Sequence, residues 1–199
     1  MAKLHFRYGT MGSAKTAQAL MLVYNFQEKG NKALLLKTET DTRTCEVWSR
    51  IGLQMDAIPV TKLKDMESYE LSTYKVIVVD EAQFMTDEQV DLLARIADYM
   101  DIPVFCYGLR TDYTSKLFPG AKRLMEMADE IEEIKTSCWC GKSAKFNARI
   151  VDGKVVHEPI GDTTIDIENK SGTQKYTALC RKHYLSGEHH MSDVTESEA

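Results

Sequence analysis

The sequence has no run of about 18 apolar residues, the length a membrane-crossing helix needs, so no segment reads as a membrane span. Its opening, MAKLHFRYG, breaks into charge and glycine too early for an export signal, and none is expected there. Basic residues are not in excess: 25 Lys and Arg stand against 30 Asp and Glu, a net charge of -5. Nucleic acid and anionic membrane surfaces favour a basic face, so neither is an expected partner, although a local basic patch stays open. Internal repeats and low-complexity tracts are absent. Cysteine is scarce and odd in number (Cys45, Cys106, Cys138, Cys140 and Cys180). With no export signal, this reads as reduced thiols in a cytoplasmic protein, and the clustered ones suggest metal rather than disulfide. What remains is ordinary globular material. The 199 residues are 43% hydrophobic and 28% charged, enough for one core plus a small appendage.

KLHFRY (3–8) alternates and contains aromatics, as a strand does. From Lys15 to about Lys29, Ala17, Leu20, Met21 and Tyr24 recur at helical spacing, and Gly30 closes that helix. KALLLK (32–37), VIVVD (76–80) and VFCYG (104–108) are continuous apolar strands of the kind covered on both faces. Thr86 and Gln89 form a capping box before a helix with Leu92, Leu93, Ile96 and Met100 on one side. A helix is expected near 120–127 and a strand at EIEEIK (130–135). Strands alternating with helices imply an α/β fold, a mostly parallel sheet with helices on both faces. Beyond Thr136 short strand-like pieces take over, at 145–150, 155–157 and 163–167. The expected division is a nucleotide-binding domain over 1–135, a small domain over 136–187 and a disordered polar tail over 188–199.

GTMGSAKT (9–16) differs from the phosphate-loop pattern G-x-x-x-x-G-K-[ST] only at Ala14. It follows a strand and opens a helix, so backbone N–H groups and the helix N-terminus face an anion. Lys15 would reach the β- and γ-phosphates and Thr16 would ligate magnesium. Alanine is comfortable at position 14 if its φ stays negative, which is the expectation. The alternative is a chance turn before a helix. In VIVVDEAQF, Asp80 ends an apolar strand, where doubly wound folds bind ligands. It fits a second magnesium anchor, directly or through water. Glu81 beside it can take a proton from an attacking hydroxyl or orient a water. The alternative is a helix-capping acid. Arg43 in DTR (41–43) is either a phosphate clamp or a surface arginine.

Cys138-Trp-Cys140 and Cys180-Arg-Lys-His183 supply four ligands in two close pairs, the set a tetrahedral zinc needs. The first pair has one intervening residue where two are usual. With no spare ligand position, the metal would be structural and would staple a subdomain too small for its own core. Buried free thiols and an ordinary histidine are the alternative. His189 and His190 read as tail residues, and Cys106 as a core residue.

Together these motifs resemble the zinc-containing cellular (type II) thymidine kinase family, over about residues 4–185. The resemblance implies a RecA-like P-loop domain and a zinc-held lasso closing over a nucleoside. The implied reaction moves the γ-phosphate of ATP to the 5′-hydroxyl of deoxythymidine, with magnesium. The implied assembly is a homotetramer, and the implied feedback inhibitor is dTTP. By resemblance Gly9, Thr10, Met11, Gly12, Ser13, Ala14, Lys15 and Thr16 hold donor phosphates. Asp41, Thr42, Arg43, Asp80, Ala82 and Gln83 lie beside them, and Glu81 matches the catalytic base. Met11, Phe84, Tyr113, Phe118 and Tyr176 match the nucleoside pocket. The lasso backbone that meets the base falls at Ile167, Glu168, Asn169, Lys170 and Ser171, without the usual Gly-Gly. Rival readings are a P-loop motor or helicase fragment, with Glu81 activating water, and a non-catalytic zinc module.

Overall fold

Two of the apolar runs form strands with the expected bounds, Val76–Asp80 and Val104–Gly108, in the computed structural model, which describes residues 1–38, 46–158 and 174–190. In chain order, β1 (Leu4–Tyr8) leads through a loop into α1 (Lys15–Glu28), then β2 (Ala33–Lys37). The short strands β3 (Glu46–Trp48), β4 (Gln54–Asp56) and β5 (Ile58–Pro59) follow, then a single turn, α2 (Ser68–Leu71). Next come β6 (Val76–Asp80), α3 (Asp87–Met100), β7 (Val104–Gly108), α4 (Pro119–Met127) and β8 (Glu130–Glu133). The last elements are β9 (Phe146–Val151), β10 (Lys154–Val156), β11 (Gln174–Leu179) and α5 (Arg181–Ser186). The strand expected at 163–167 lies outside the described residues, as does the acidic end from 191.

Six strands form one sheet in the order β5-β2-β6-β7-β1-β8, and every pairing in it is parallel. Successive side chains of a strand face opposite ways, and each apolar run supplies both faces. Ile77 and Val79 join Leu93, Ile96 and Leu124 on the side of α3 and α4. Val76 and Val78 join Ala19, Leu20 and Val23 of α1 on the other. The capping box of α3 is present: the Gln89 amide donates to Thr86 Oγ1 (3.3 Å) and the Thr86 amide to Gln89 Oε1 (3.0 Å). Helix α1 sits differently from its expected face. Met21 and Tyr24 are more than half exposed, while Ala19 and Val23 are buried with Ala17 and Leu20. The short side chains Ala19 and Val23 let the helix lie close on the sheet, which turns the larger Met21 and Tyr24 outward.

The second sheet is antiparallel, in the order β10-β9-β11, over a small cluster of Cys138, Ala144, Ala148, Leu179, Cys180 and Tyr184. The β3–β4 hairpin is a separate pair.

Candidate functional site

The loop Gly9–Ala14 leaves β1 at the carboxyl edge of the parallel sheet and turns into α1. β7 lies between β1 and β6, so this loop and the end of β6 flank the end of β7. The loop is closed by the Ser13 amide donating to the Thr10 carbonyl (3.3 Å). Lys15 is buried, and its Nζ donates to the same carbonyl at 2.8 Å. Burial pushes the Lys15 ammonium below the ordinary lysine range, while the carboxylates of Glu81 and Asp80 pull the other way. Ala14 corrects the expectation of negative φ: it adopts φ 61°, ψ 26°. The residue at the second glycine position of the motif therefore keeps the left-handed backbone that glycine normally supplies. For alanine this costs about 1–2 kcal/mol.

Asp80 ends β6 and is buried. Burial and then the neighbouring Glu81 charge push its carboxyl up to about 7, against an opposing hydrogen bond from Thr16. A hydroxyl and a carboxylate in contact at a helix start form an oxygen donor pair suited to a hard divalent cation. Glu81 is the second left-handed residue, φ 53°, ψ 36°. Its Oε2 accepts from Gln83 Nε2 at 2.5 Å. Gln83 is fully buried, and its Oε1 accepts from the Leu109 amide at 2.9 Å. That arrangement needs Gly108, where a Cβ would stand 2.6 Å from Gln83 Oε1.

A cavity of about 480 Å³ joins these groups to an aromatic wall. That volume suits a small organic ligand. Met11, Phe84, Tyr113, Phe118 and Tyr176 all line it, together with Lys15, Thr16, Asp80, Glu81 and Gln83. Phe84 meets Phe118 edge-on at 5.4 Å between centroids, and Tyr113 meets Tyr176 at 6.4 Å. Not every predicted residue reaches the cavity: Thr10 and Ser13 are buried, and Ala82 is fully buried in the core. Asp41, Thr42, Arg43, Cys45 and the segment Ile167, Glu168, Asn169, Lys170, Ser171 lie outside the described residues.

Sequence reasoning missed Asn147 and Arg149 of β9. Asn147 Oδ1 accepts from the Met11 amide (2.8 Å), and its Nδ2 donates to the Thr111 carbonyl (2.8 Å), tying the second sheet to the phosphate loop. Arg149 donates to the Tyr113 hydroxyl (3.2 Å) and its guanidinium lies 5.2 Å from that ring's centroid. No local pattern signals either residue. Asp112 was findable: its Oδ1 accepts from the Thr114 and Lys116 amides, a turn that D-Y-T-S-K spells out.

Cys138, Cys140, Cys180 and His183 converge with all ligand atoms within 4.8 Å of one another. Cys138 Sγ stands 3.4 Å from His183 Nδ1, and Cys140 Sγ 3.9 Å from Cys180 Sγ. A tetrahedron with metal–sulfur bonds of about 2.3 Å has edges of about 3.8 Å, so the donor set fits zinc. Burial opposes ionisation of Cys138, but hydrogen bonds from the Cys140 and Cys180 amides and His183 outweigh it and take the thiol down to about 6. His190 lies outside the cluster, its ring 5.6 Å from that of Trp139. Cys106 lies in the core as expected, where burial pushes its thiol up.

The thymidine kinase family profile matches residues 2–184 of this chain. A thymidine kinase of Francisella tularensis is 40% identical over 94% of this chain and 98% of its own. That of Rhizobium etli is 42% identical over 92% of this chain and 94% of its own. The thymidine kinase of Enterobacteria phage T4 is 42% identical over 92% and 96%. Among solved structures, Bacteroides Pif1 bound to ssDNA overlaps 66% of this chain and 38% of its own, at TM-score 0.43 and 13% identity, a likeness too slight to carry an argument. No helix among the described residues is long and apolar enough to cross a membrane.

Proposed function

Because this chain belongs to the thymidine kinase family, we propose that it transfers the γ-phosphoryl group of ATP to the 5′-hydroxyl of deoxythymidine, giving dTMP for nucleotide salvage. The observation that carries this reading is a single cavity in which Lys15, Thr16 and Asp80 meet Glu81 and an aromatic wall of Phe84, Tyr113, Phe118 and Tyr176.

The charged end of the cavity suits a polyphosphate. The loop amides and Lys15 take the phosphate oxygens, and Lys15 exchanges its Thr10 carbonyl for them. Thr16 and Asp80 would hold magnesium, which supplies charge neutralisation on the phosphates. The aromatic end takes the base by stacking and exclusion of water. Glu81 lies between the two ends and serves as general base for the 5′-hydroxyl, its carboxylate aimed by Gln83. Phosphoryl transfer needs mainly positioning and charge neutralisation, so these few groups suffice. By family resemblance we add Asp41, Thr42 and Arg43 to the phosphate-binding residues and the backbone of 167–171 to the base-binding ones. Cys138, Cys140, Cys180 and His183 hold a structural zinc that fixes the small sheet. We also propose a nucleotide-binding domain over 1–135 and a lasso over 136–187, a division supported by the separation of the six-stranded parallel sheet from the three-stranded antiparallel one. On the family resemblance we also propose a homotetramer, dTTP feedback and a cytoplasmic location.

A phosphorylation assay over a panel of nucleosides tests this. Thymidine should be phosphorylated, deoxyuridine should follow within about 10–200-fold because one methyl is worth about 1–3 kcal/mol, and deoxyguanosine should not react. ATP turnover without any nucleoside would indicate a motor instead.

A further inference from the structure

The wall of the cavity carries three cations, Lys15, Lys37 and Arg50. Lys15 donates to the Thr10 carbonyl and Lys37 to the Glu46 carbonyl (3.2 Å). Arg50 has no hydrogen bond or ion pair with any described residue, unlike Arg7, Arg123 and Arg149. A charged planar group facing a cavity of phosphate-binding character, with its donors unspent on protein, invites an anionic ligand.

Its placement is built. Arg50 sits in the loop between β3 and β4. The Ser49 amide donates to the Leu53 carbonyl (2.8 Å), the Gly52 amide to the Ser49 carbonyl (3.1 Å), and the Leu53 amide to Ser49 Oγ (2.9 Å). Ser49 is buried, and Val47 packs into the core on the α1 side, so the hairpin is anchored against the element that the phosphate loop opens. The Arg50 charge is felt at Lys15, where burial, offset by Glu81 and Asp80, and then Arg50 set the ammonium below its ordinary range.

We propose that Arg50 clamps the terminal phosphate of the nucleoside-triphosphate donor opposite Lys15, an arginine supplied in cis from the β3–β4 hairpin. This rests on the ATP half of the reading above. As the bond between the 5′-oxygen and γ-phosphorus forms, the bond from γ-phosphorus to the bridging oxygen breaks. ADP leaves with that electron pair, and the hydroxyl proton passes to Glu81. Negative charge stays on the terminal oxygens throughout, and a bidentate guanidinium meets two of them at once.

The test separates the third phosphate from the other two. Dissociation constants are measured for ADP and for β,γ-imido-ATP, without nucleoside, on wild type, Arg50→Gln and Arg50→Lys. Arg50→Gln should weaken the ATP analogue about tenfold or more and leave ADP within about twofold, while kcat for thymidine falls about 10²-fold or more. Arg50→Lys should recover part of the analogue affinity but little of kcat, because lysine lacks the fork. Equal losses for ADP and the analogue, or no change in either, overturn the assignment. Melting curves of both variants should match wild type, since Arg50 is on an exposed turn. A wild type that binds ATP yet phosphorylates no nucleoside would sink the thymidine reading alone; the ADP and analogue contrast would still decide Arg50.

Discussion

Three adjacent demands meet at Asp80 and Glu81: burial, like charge and a left-handed backbone. Strained and desolvated residues collect where function requires them. For Asp80 the consequence can be signed. An ordinary carboxyl near 3.8 in the unfolded chain rises to about 7 in the folded one. The folded chain therefore keeps a proton that the unfolded chain has lost, and the associated stability is full below about pH 4 and lost as pH rises through 7. Without ligands, Asp80→Asn should raise stability at pH 8 by about 1–3 kcal/mol, with little effect near pH 4, and should abolish activity. Urea midpoints at the two pH values check it; an equal shift at both would remove the buried charge as the cause. Strand position made Asp80 legible in the sequence, but the depth of its burial depends on neighbours from other elements. The φ of Ala14 was illegible for a similar reason: the motif records which residue stands there and not the backbone angle the closed loop imposes.

Among elements, the parallel strands were legible because each is a continuous apolar run, which only a sheet covered on both faces tolerates. Helix α3 was legible through its capping box. The buried face of α1 was not, because Ala17, Leu20, Met21 and Tyr24 satisfy the helical period as well as the buried Ala19 and Val23 do, and the sheet decides between them. The antiparallel pair β9 and β11 carries the side of the cavity that the parallel sheet lacks. Tyr176 of β11 pairs in register with Arg149 of β9, which in turn holds the Tyr113 hydroxyl. Tyr176→Ala should thus raise the KM for thymidine about tenfold or more, as loss of an aromatic partner of about 1–3 kcal/mol would, and leave the KM for ATP within about twofold. Equal losses on both sides would mean that Tyr176 supports the fold and not the substrate.

At the level of the whole molecule, contacts far apart in sequence join the two sheets. Asn147 reaches Met11 across 136 residues, and Tyr184 reaches the Tyr113 carbonyl across 71. Such pairs leave no trace in local pattern, which is why the phosphate loop and the cysteines could be read and the joint between them could not. Cys138 and Cys180 of the cysteine–histidine cluster share a small core with Tyr184 of that joint. Cys180→Ser should lose about one zinc per chain by metal analysis and raise the thymidine KM about 10-fold or more, before ATP affinity changes. A metal-free variant with unaltered kinetics would detach the cluster from the nucleoside side.

The separation of the pair Cys138 and Cys140 from the pair Cys180 and His183 also has a meaning in time. Cys140 and Cys180 are 40 residues apart. At a synthesis rate of roughly 5–20 residues per second, Cys140 is made about 2–8 seconds before Cys180. By then the strands that carry the phosphate loop, Asp80 and Gly108 have all been made. The nascent chain therefore has its phosphate loop before Tyr176 of β11 exists, and Cys138 and Cys140 precede the two side chains that would complete a metal site with them. If the cluster holds zinc as proposed, a shortage of the metal would leave finished chains with the phosphate loop, Phe84, Tyr113 and Phe118 in place and only Tyr176 of β11 without its anchor.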